Sequence, residues 1–232
     1  QNQPATGSPA ERYRPLIHFS PARNWTNDPC GLYYSNGFYH VFFQYNPHGD
    51  QWGHMSWGHA TSPDLIHWQE QAVALNEENG VMMFTGSAVV DKNNSSGICE
   101  GDSGCPVLIY TGHEDKSGGK PRREHQNLAA GDKAGRNWKK YAGNPVLDEQ
   151  RAEFRDPKVF WHDKTHRWIM VVALADEHKV AFYWSRDLKD WKKLSEFGPA
   201  GAPGPNWECP ESFELPVEGG CQGETRWVLK IG

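Results

Sequence analysis

Asp28-Pro29, Asp156-Pro157 and Glu208-Cys209-Pro210 each set an acidic residue before a proline, immediately or one residue later. Proline fixes its own φ and supplies no N–H, so each reads as a turn or the opening of an extended run. The first lies in Asn24-Trp25-Thr26-Asn27-Asp28-Pro29-Cys30-Gly31, hemmed in by aromatic stretches, an odd setting for a solvated hairpin end. Two carboxyl groups facing each other across a pocket suit glycoside cleavage. One protonates the leaving oxygen while the other attacks the anomeric carbon or activates water. Their protonation states separate when one lies in more apolar surroundings, which Trp207 could supply for Glu208. A third acid can hold sugar hydroxyls, and Arg155 could keep Asp156 ionised and oriented. Trp52, Trp57 and Phe84 could offer apolar faces to a sugar ring.

Such acids converge only if the chain repeats. From Ile17 onward it reads as short β runs: GFYHVFFQYN, FTGSAVVD, PVLIYTG, PKVFWH, RWIMVVAL, VAFYWS and RWVLKI, each bounded by Gly, Pro, Asn or Asp. No window holds a 3.6-residue apolar period over helical length, so the chain is expected to be all-β. Asp28-Pro29 opens a unit that SPDLIHW (62–68) closes; Asp156-Pro157 opens another that SRDLKDW (185–191) closes. Between them FTGSAVVD leads to GDKAGRNWKKY, with Trp138 in the place of Trp68 and Trp191. Units of several antiparallel strands ending in the same turn imply propeller blades, with the tryptophans packed between blades. Trp57, Trp68, Trp138, Trp161 and Trp191 are assigned to that packing. A fourth unit begins at Trp207-Glu208-Cys209-Pro210, and the sequence stops within it. In a propeller the first strand of each blade lines the central channel, so Asp28, Asp156 and Glu208 should meet there.

The 232 residues are 37% hydrophobic and include 11 tryptophans, enough for a substantial core. A net charge of −5 argues against nucleic acid or an anionic membrane as partner. No apolar run approaches the roughly 18 residues of a membrane span. A start at Gln1 and sequons at Asn24, Asn93 and Asn94 point toward secretion, with Asn24 expected to be too crowded for a glycan. Of five cysteines, Cys99 and Cys105 flank a Gly-rich loop and could bridge. His40, His54, His59 and His67 lack metal-ligand spacing, so no metal is expected, and no motif calls for a cofactor. Ser87 in TGSA is not a nucleophile elbow. Cys209 is expected as a small buried hydrophobe, residues 114–125 as a solvated loop, and residues 1–16 as a loose arm before a propeller portion spanning 17–232.

At these residues the sequence resembles glycoside hydrolase family 32, the invertases, inulinases, levanases and fructosyltransferases. HFSPARNWTNDPCGLYY is similar to the family's first block, and FFQYNP, WGHATSPDLIHW, FTGSAVVD, FRDPKVFWH and WECP follow in order, most like those of microbial exo-inulinases. The resemblance implies a five-bladed β-propeller of which this chain is about the first half, without the family's C-terminal β-sandwich. It implies Asp28 as nucleophile, Glu208 as acid/base and Asp156 as the holder of fructose hydroxyls, supported by Arg155. Asn27, Gln44, Trp52 and Ser87 would line the fructose pocket beside Phe84. The implied activity is release of terminal fructose from sucrose, inulin or levan by a secreted enzyme, with a fructose-containing saccharide as partner. A retaining pair implies carboxyl groups about 5–5.5 Å apart. A fructosyltransferase and a non-catalytic fructan-binding propeller or inactive fragment are the alternatives. Cys30 and Thr26 depart from the family's usual Asn and Met.

Overall fold

The computed structural model describes residues 13–15, 17–101, 104–115, 119, 121–201, 204–221 and 223–232. Most of the expected N-terminal arm therefore lies outside the described residues. At its end Arg14 donates to Ser20 Oγ and to the carbonyls of Pro21 and Ala22.

The chain lays down sheets one after another, in sequence order. β1 (Thr26–Ser35), β2 (Phe38–Tyr45), β3 (Ser56–Ser62) and β4 (Gln69–Glu70) form the first. β5 (Val81–Asp91), β6 (Cys105–Glu114), β7 (Arg123–Gly131) and β8 (Trp138–Lys140) form the second, with β9 (Leu147–Arg151) also paired to β7. β10 (Phe154–His162), β11 (Arg167–Leu174), β12 (Lys179–Ser185) and β13 (Lys192–Phe197) form the third. β14 (Glu211–Pro216) and β15 (Thr225–Lys230) make a two-stranded fourth. All pairings are antiparallel and, apart from that of β9 with β7, join neighbours in sequence, the meander of propeller blades.

The blades bury their faces against one another. Val107, Ile109 and Leu128 of the second sheet meet Phe154, Met170, Val172 and Tyr183 of the third. Phe42 and Trp57 of the first meet Leu108 and Tyr110 of the second. Trp138 packs edge-on against Phe42 at 5.3 Å, joining blade to blade. Trp191 packs on the core cluster shared by the second and third sheets, and Trp68 on a cluster of its own blade. Trp57 is fully buried in the core and offers no face to a ligand. Trp161 is partly exposed, edge-on to Trp168.

The repeated closing turn is a repeat of hydrogen bonds as well as letters. Asp64 Oδ1 accepts from the Ile66 and His67 N–H, and Trp68 Nε1 donates to the Leu65 carbonyl at 3.1 Å. Asp187 Oδ1 accepts from the Lys189 and Asp190 N–H, and Trp191 Nε1 donates to the Leu188 carbonyl at 2.8 Å. Leu65 and Leu188 share a left-handed backbone at φ 65° and 62°. Cys99 and Cys105 are bridged, with Asp91 accepting from Ser95 and Ser96 at the root of their loop.

The stretch expected as a solvated loop is corrected in part. Arg123 opens β7, and Glu124 is completely buried. An apolar cavity of about 440 Å³, lined by Phe160, Ile169, Trp184 and Trp227, lies between the third sheet and β15.

Candidate active site

The first strands of three successive sheets lie side by side, β1 on β5 and β5 on β10. Each carries a β-bulge near its start. Register slips around Asp28 in β1, between Phe84 and Gly86 in β5, and between Arg155 and Lys158 in β10. A bulge leaves residues unpaired and re-aims their side chains, and a proline that cannot donate to the ladder is tolerated there. Pro29 and Pro157 thus fit the strands that carry Asp28 and Asp156. Blade two has no acid at this place; it presents Thr85. Glu208 precedes β14 and is tied to the end of β15 by reciprocal backbone hydrogen bonds with Gly232.

These positions meet in one polar pocket of about 250 Å³, lined by Asn27, Asp28, Gln44, Trp52, Phe84, Thr85, Arg122, Arg155, Asp156 and Glu208. Every site residue expected from the sequence is there except Ser87. Its hydroxyl donates to the Pro157 carbonyl at 2.8 Å and accepts from the Val159 N–H at 2.9 Å, stitching β5 to β10. Thr85 and Arg122 are additions that the sequence reading did not make.

Each member is held. Thr85 Oγ1 donates to Asp28 Oδ2 at 2.8 Å, and Cys209 Sγ lies 3.7 Å from the same oxygen. Asn27 Oδ1 accepts from Trp25 Nε1, which leaves its amide N–H₂ free of that bond. Gln44 is buried and donates to the Met83 carbonyl at 2.9 Å. Trp52 is half-exposed and edge-on to Phe84 at 6.2 Å, while Phe84 stacks on His113 at 4.1 Å.

Asp156 sits at φ 64°, a left-handed backbone that non-glycine residues seldom adopt and that tends to mark functional sites. Its N–H donates to Thr111 Oγ1, and its Oδ2 accepts from the Cys209 N–H at 2.9 Å. Burial pushes its carboxyl up to about 7; the Cys209 N–H and the Arg155 charge pull against that, and Asp28 and Glu208 reinforce it.

Two expectations are corrected here. The apolar setting belongs to Asp156 rather than Glu208, whose side chain is 52% exposed, and Trp207 packs against His178. Arg155 also turns its hydrogen bonds elsewhere. Its Nη2 and Nε donate to Glu208 Oε1 at 2.8 and 3.1 Å, and its Nη1 reaches Glu153 and Glu124. Arg155 therefore grips Glu208, and acts on Asp156 through its field alone.

The arrangement gives three carboxyl groups of different character around one space: one hydroxyl-bonded, one buried, one held by a guanidinium at the mouth. That is the equipment for moving a proton and attacking a carbon in one pocket. Among the described residues no group of three or more His, Cys, Asp or Glu is arranged to hold a metal ion.

Comparison with known proteins agrees with the geometry. Residues 18–232 match the glycosyl hydrolases family 32 N-terminal domain. The chain is 46% identical over 240 residues to an extracellular exo-inulinase of Aspergillus niger, covering 95% of this chain and 44% of that protein. It is 47% identical over 223 residues to a levanase of Bacillus subtilis, covering 95% and 32% respectively. The crystal structure of exo-inulinase from Aspergillus awamori superposes with a TM-score of 0.87 at 43% identity, over 94% of this chain and 46% of that one. The chain thus spans less than half the length of the relatives it matches. It belongs to glycosyl hydrolase family 32, within that family's N-terminal domain.

Proposed function

We propose that the protein built on this domain is a secreted retaining β-fructofuranosidase that releases terminal fructose from fructans or sucrose. The convergence of Asp28, Asp156 and Glu208 with Asn27, Gln44 and Trp52 in one pocket carries this reading. The names of its relatives, exo-inulinase and levanase, favour fructans. The extracellular inulinase favours action outside the cell.

Asp28 attacks C2 of the fructose unit with one carboxylate oxygen. Thr85 holds Oδ2 and so fixes the orientation of the attack. Glu208 donates its proton to the departing glycosidic oxygen as the bond breaks, then takes one from the water that releases fructose from Asp28. Its exposure suits both steps, since leaving group and water arrive from the mouth. Asp156 lies deeper and hydrogen-bonds the fructose hydroxyls, contacts that tighten as the ring flattens toward the oxocarbenium ion.

The test is fructose release from inulin, levan and sucrose by the full-length protein, with Asp28→Asn in parallel. Release is expected from wild type and loss of at least a thousandfold from the variant. Binding without release would instead support a carbohydrate-binding propeller. Oligosaccharides outrunning free fructose at high sucrose would make it a transferase.

A further inference from the structure

Glu124 is a wholly buried carboxylate beside the site, and none of the roles above uses it. It stands at the start of β7, in the stretch the sequence presents as polar loop. Its two oxygens meet four donors. Oε2 accepts from the Phe154 N–H at 2.6 Å and faces Arg155 Nη1 at 3.3 Å. Oε1 accepts from Arg122 Nη2 at 3.2 Å and faces His113 Nδ1 at 3.0 Å. Burial works to push this carboxyl up, but the His113 hydrogen bond, the Arg155 charge and the Phe154 N–H outweigh it and hold it below its ordinary value. Phe154 opens the strand that carries Asp156, and Arg155 is the residue that grips Glu208. One buried anion thus anchors both the backbone leading to one acid and the guanidinium holding the other.

We propose that Glu124 is a positioning residue for Glu208, acting through Arg155. The guanidinium is shared between two ends: Glu208 on the Nε/Nη2 edge, Glu124 and Glu153 on Nη1. The two inner carboxylates fix its orientation and neutralise part of the charge it presents to Glu208. The other charged groups facing this cluster are Arg122, bonded to both Glu124 and Glu153, His113 with Asp115 behind it, and Asp156 beside Arg155. Glu124→Gln can keep an acceptor for the Phe154 N–H while deleting the charge. Arg155 then acts on Glu208 uncompensated and favours its anion.

This inference rests on the role given to Glu208 above, and the experiment keeps the two separable. The pH profile of kcat/KM for fructose release is measured for wild type and Glu124→Gln, and the Glu208 carboxyl is titrated by carbon-13 NMR, assigned with Glu208→Gln. The basic limb and the Glu208 titration should both move to lower pH, on the order of one unit. A purely structural role would lower activity at every pH and leave both curves in place, which would overturn the proposal. If Glu124→Gln does not fold, Glu153→Gln removes a less buried carboxylate from the same Nη1. It must shift the curves in the same direction, and an unmoved titration refutes the inference. A wild-type protein that releases no fructose removes the proposed function, while the NMR titration still decides the coupling.

Discussion

Replacing Asp156 by Asn should make the protein more stable, and only above acidic pH. In the unfolded chain this carboxyl loses its proton near its ordinary 3.8, whereas in the folded protein it keeps it up to about 7. Between those values the folded state binds more protons than the unfolded one, so stability falls as pH rises through the window and stays lowered above it. Three units of difference correspond to about 4 kcal/mol. Asp28 and Glu208 supply part of the rise, so the share that a single substitution recovers is roughly 2–4 kcal/mol. Asn is neutral throughout and can still accept the Cys209 N–H, so the variant isolates the charge. Calorimetric melts at pH 4 and pH 8 should show the two proteins together at the lower pH. At the higher pH the variant should melt roughly 5–15 °C above wild type. A difference in melting temperature that is the same at both values would refute the reasoning, since it would owe nothing to titration.

Three further outcomes follow from contacts described above. Thr85→Val removes the hydroxyl that holds Asp28 Oδ2 and should lower kcat about 10- to 100-fold with little change in KM, the loss of one hydrogen bond to a charged group; a rate within twofold of wild type would exclude that role. Gly86→Ala would bring a Cβ to 2.0 Å from the Ile109 carbonyl oxygen, backbone that cannot step aside, so denaturant melts should show a loss of about 3 kcal/mol or failure to fold. Burial lowers His40 to about 4 and His59 to about 3, so both are neutral in the folded protein while the unfolded chain protonates them near 6.5. Stability should therefore fall as pH drops below about 6.5, and His59→Phe, which keeps the stacking on Phe42, should flatten that acid slope in urea melts.

The blade plan was open to reading because it is written in local chemistry. Prolines beside acids, Gly-bounded β runs and one Asp-to-Trp turn used at 64–68 and again at 187–191 all act over a few residues. What escaped was set by tertiary surroundings. β7 reads as polar because Glu124, Gln126 and Asn127 are polar, yet all three are buried beneath neighbouring blades, bonded to partners dozens of residues away or to each other's strand. Hydropathy alone cannot reveal a polar side chain whose solvent is protein. Ser87 and Thr85 were separable in principle. Thr85 holds the blade-two position that Asp28 and Asp156 hold in theirs, but the bulge between Phe84 and Gly86 breaks the alternation by which a regular strand would aim both alike. Arg155 beside Asp156 invited a pairing that the fold gives to Glu208, because a long side chain follows its donors rather than its sequence neighbour.

The company kept by Cys30 and Cys209, two of the three free thiols, has a consequence for the protein's lifetime. Burial raises Cys30 well above its ordinary value, with Asp28 and Asp156 adding to the rise. Cys209 is raised by burial and then by the same two acids. Only the thiolate reacts readily with peroxide or exchanges with disulfides. The carboxylates that equip the pocket for chemistry on sugars therefore also suppress chemistry on sulfur. Cys30 and Cys209 can thus persist in oxidising surroundings, and any change that neutralises Asp28 or Asp156 trades away some of that chemical durability.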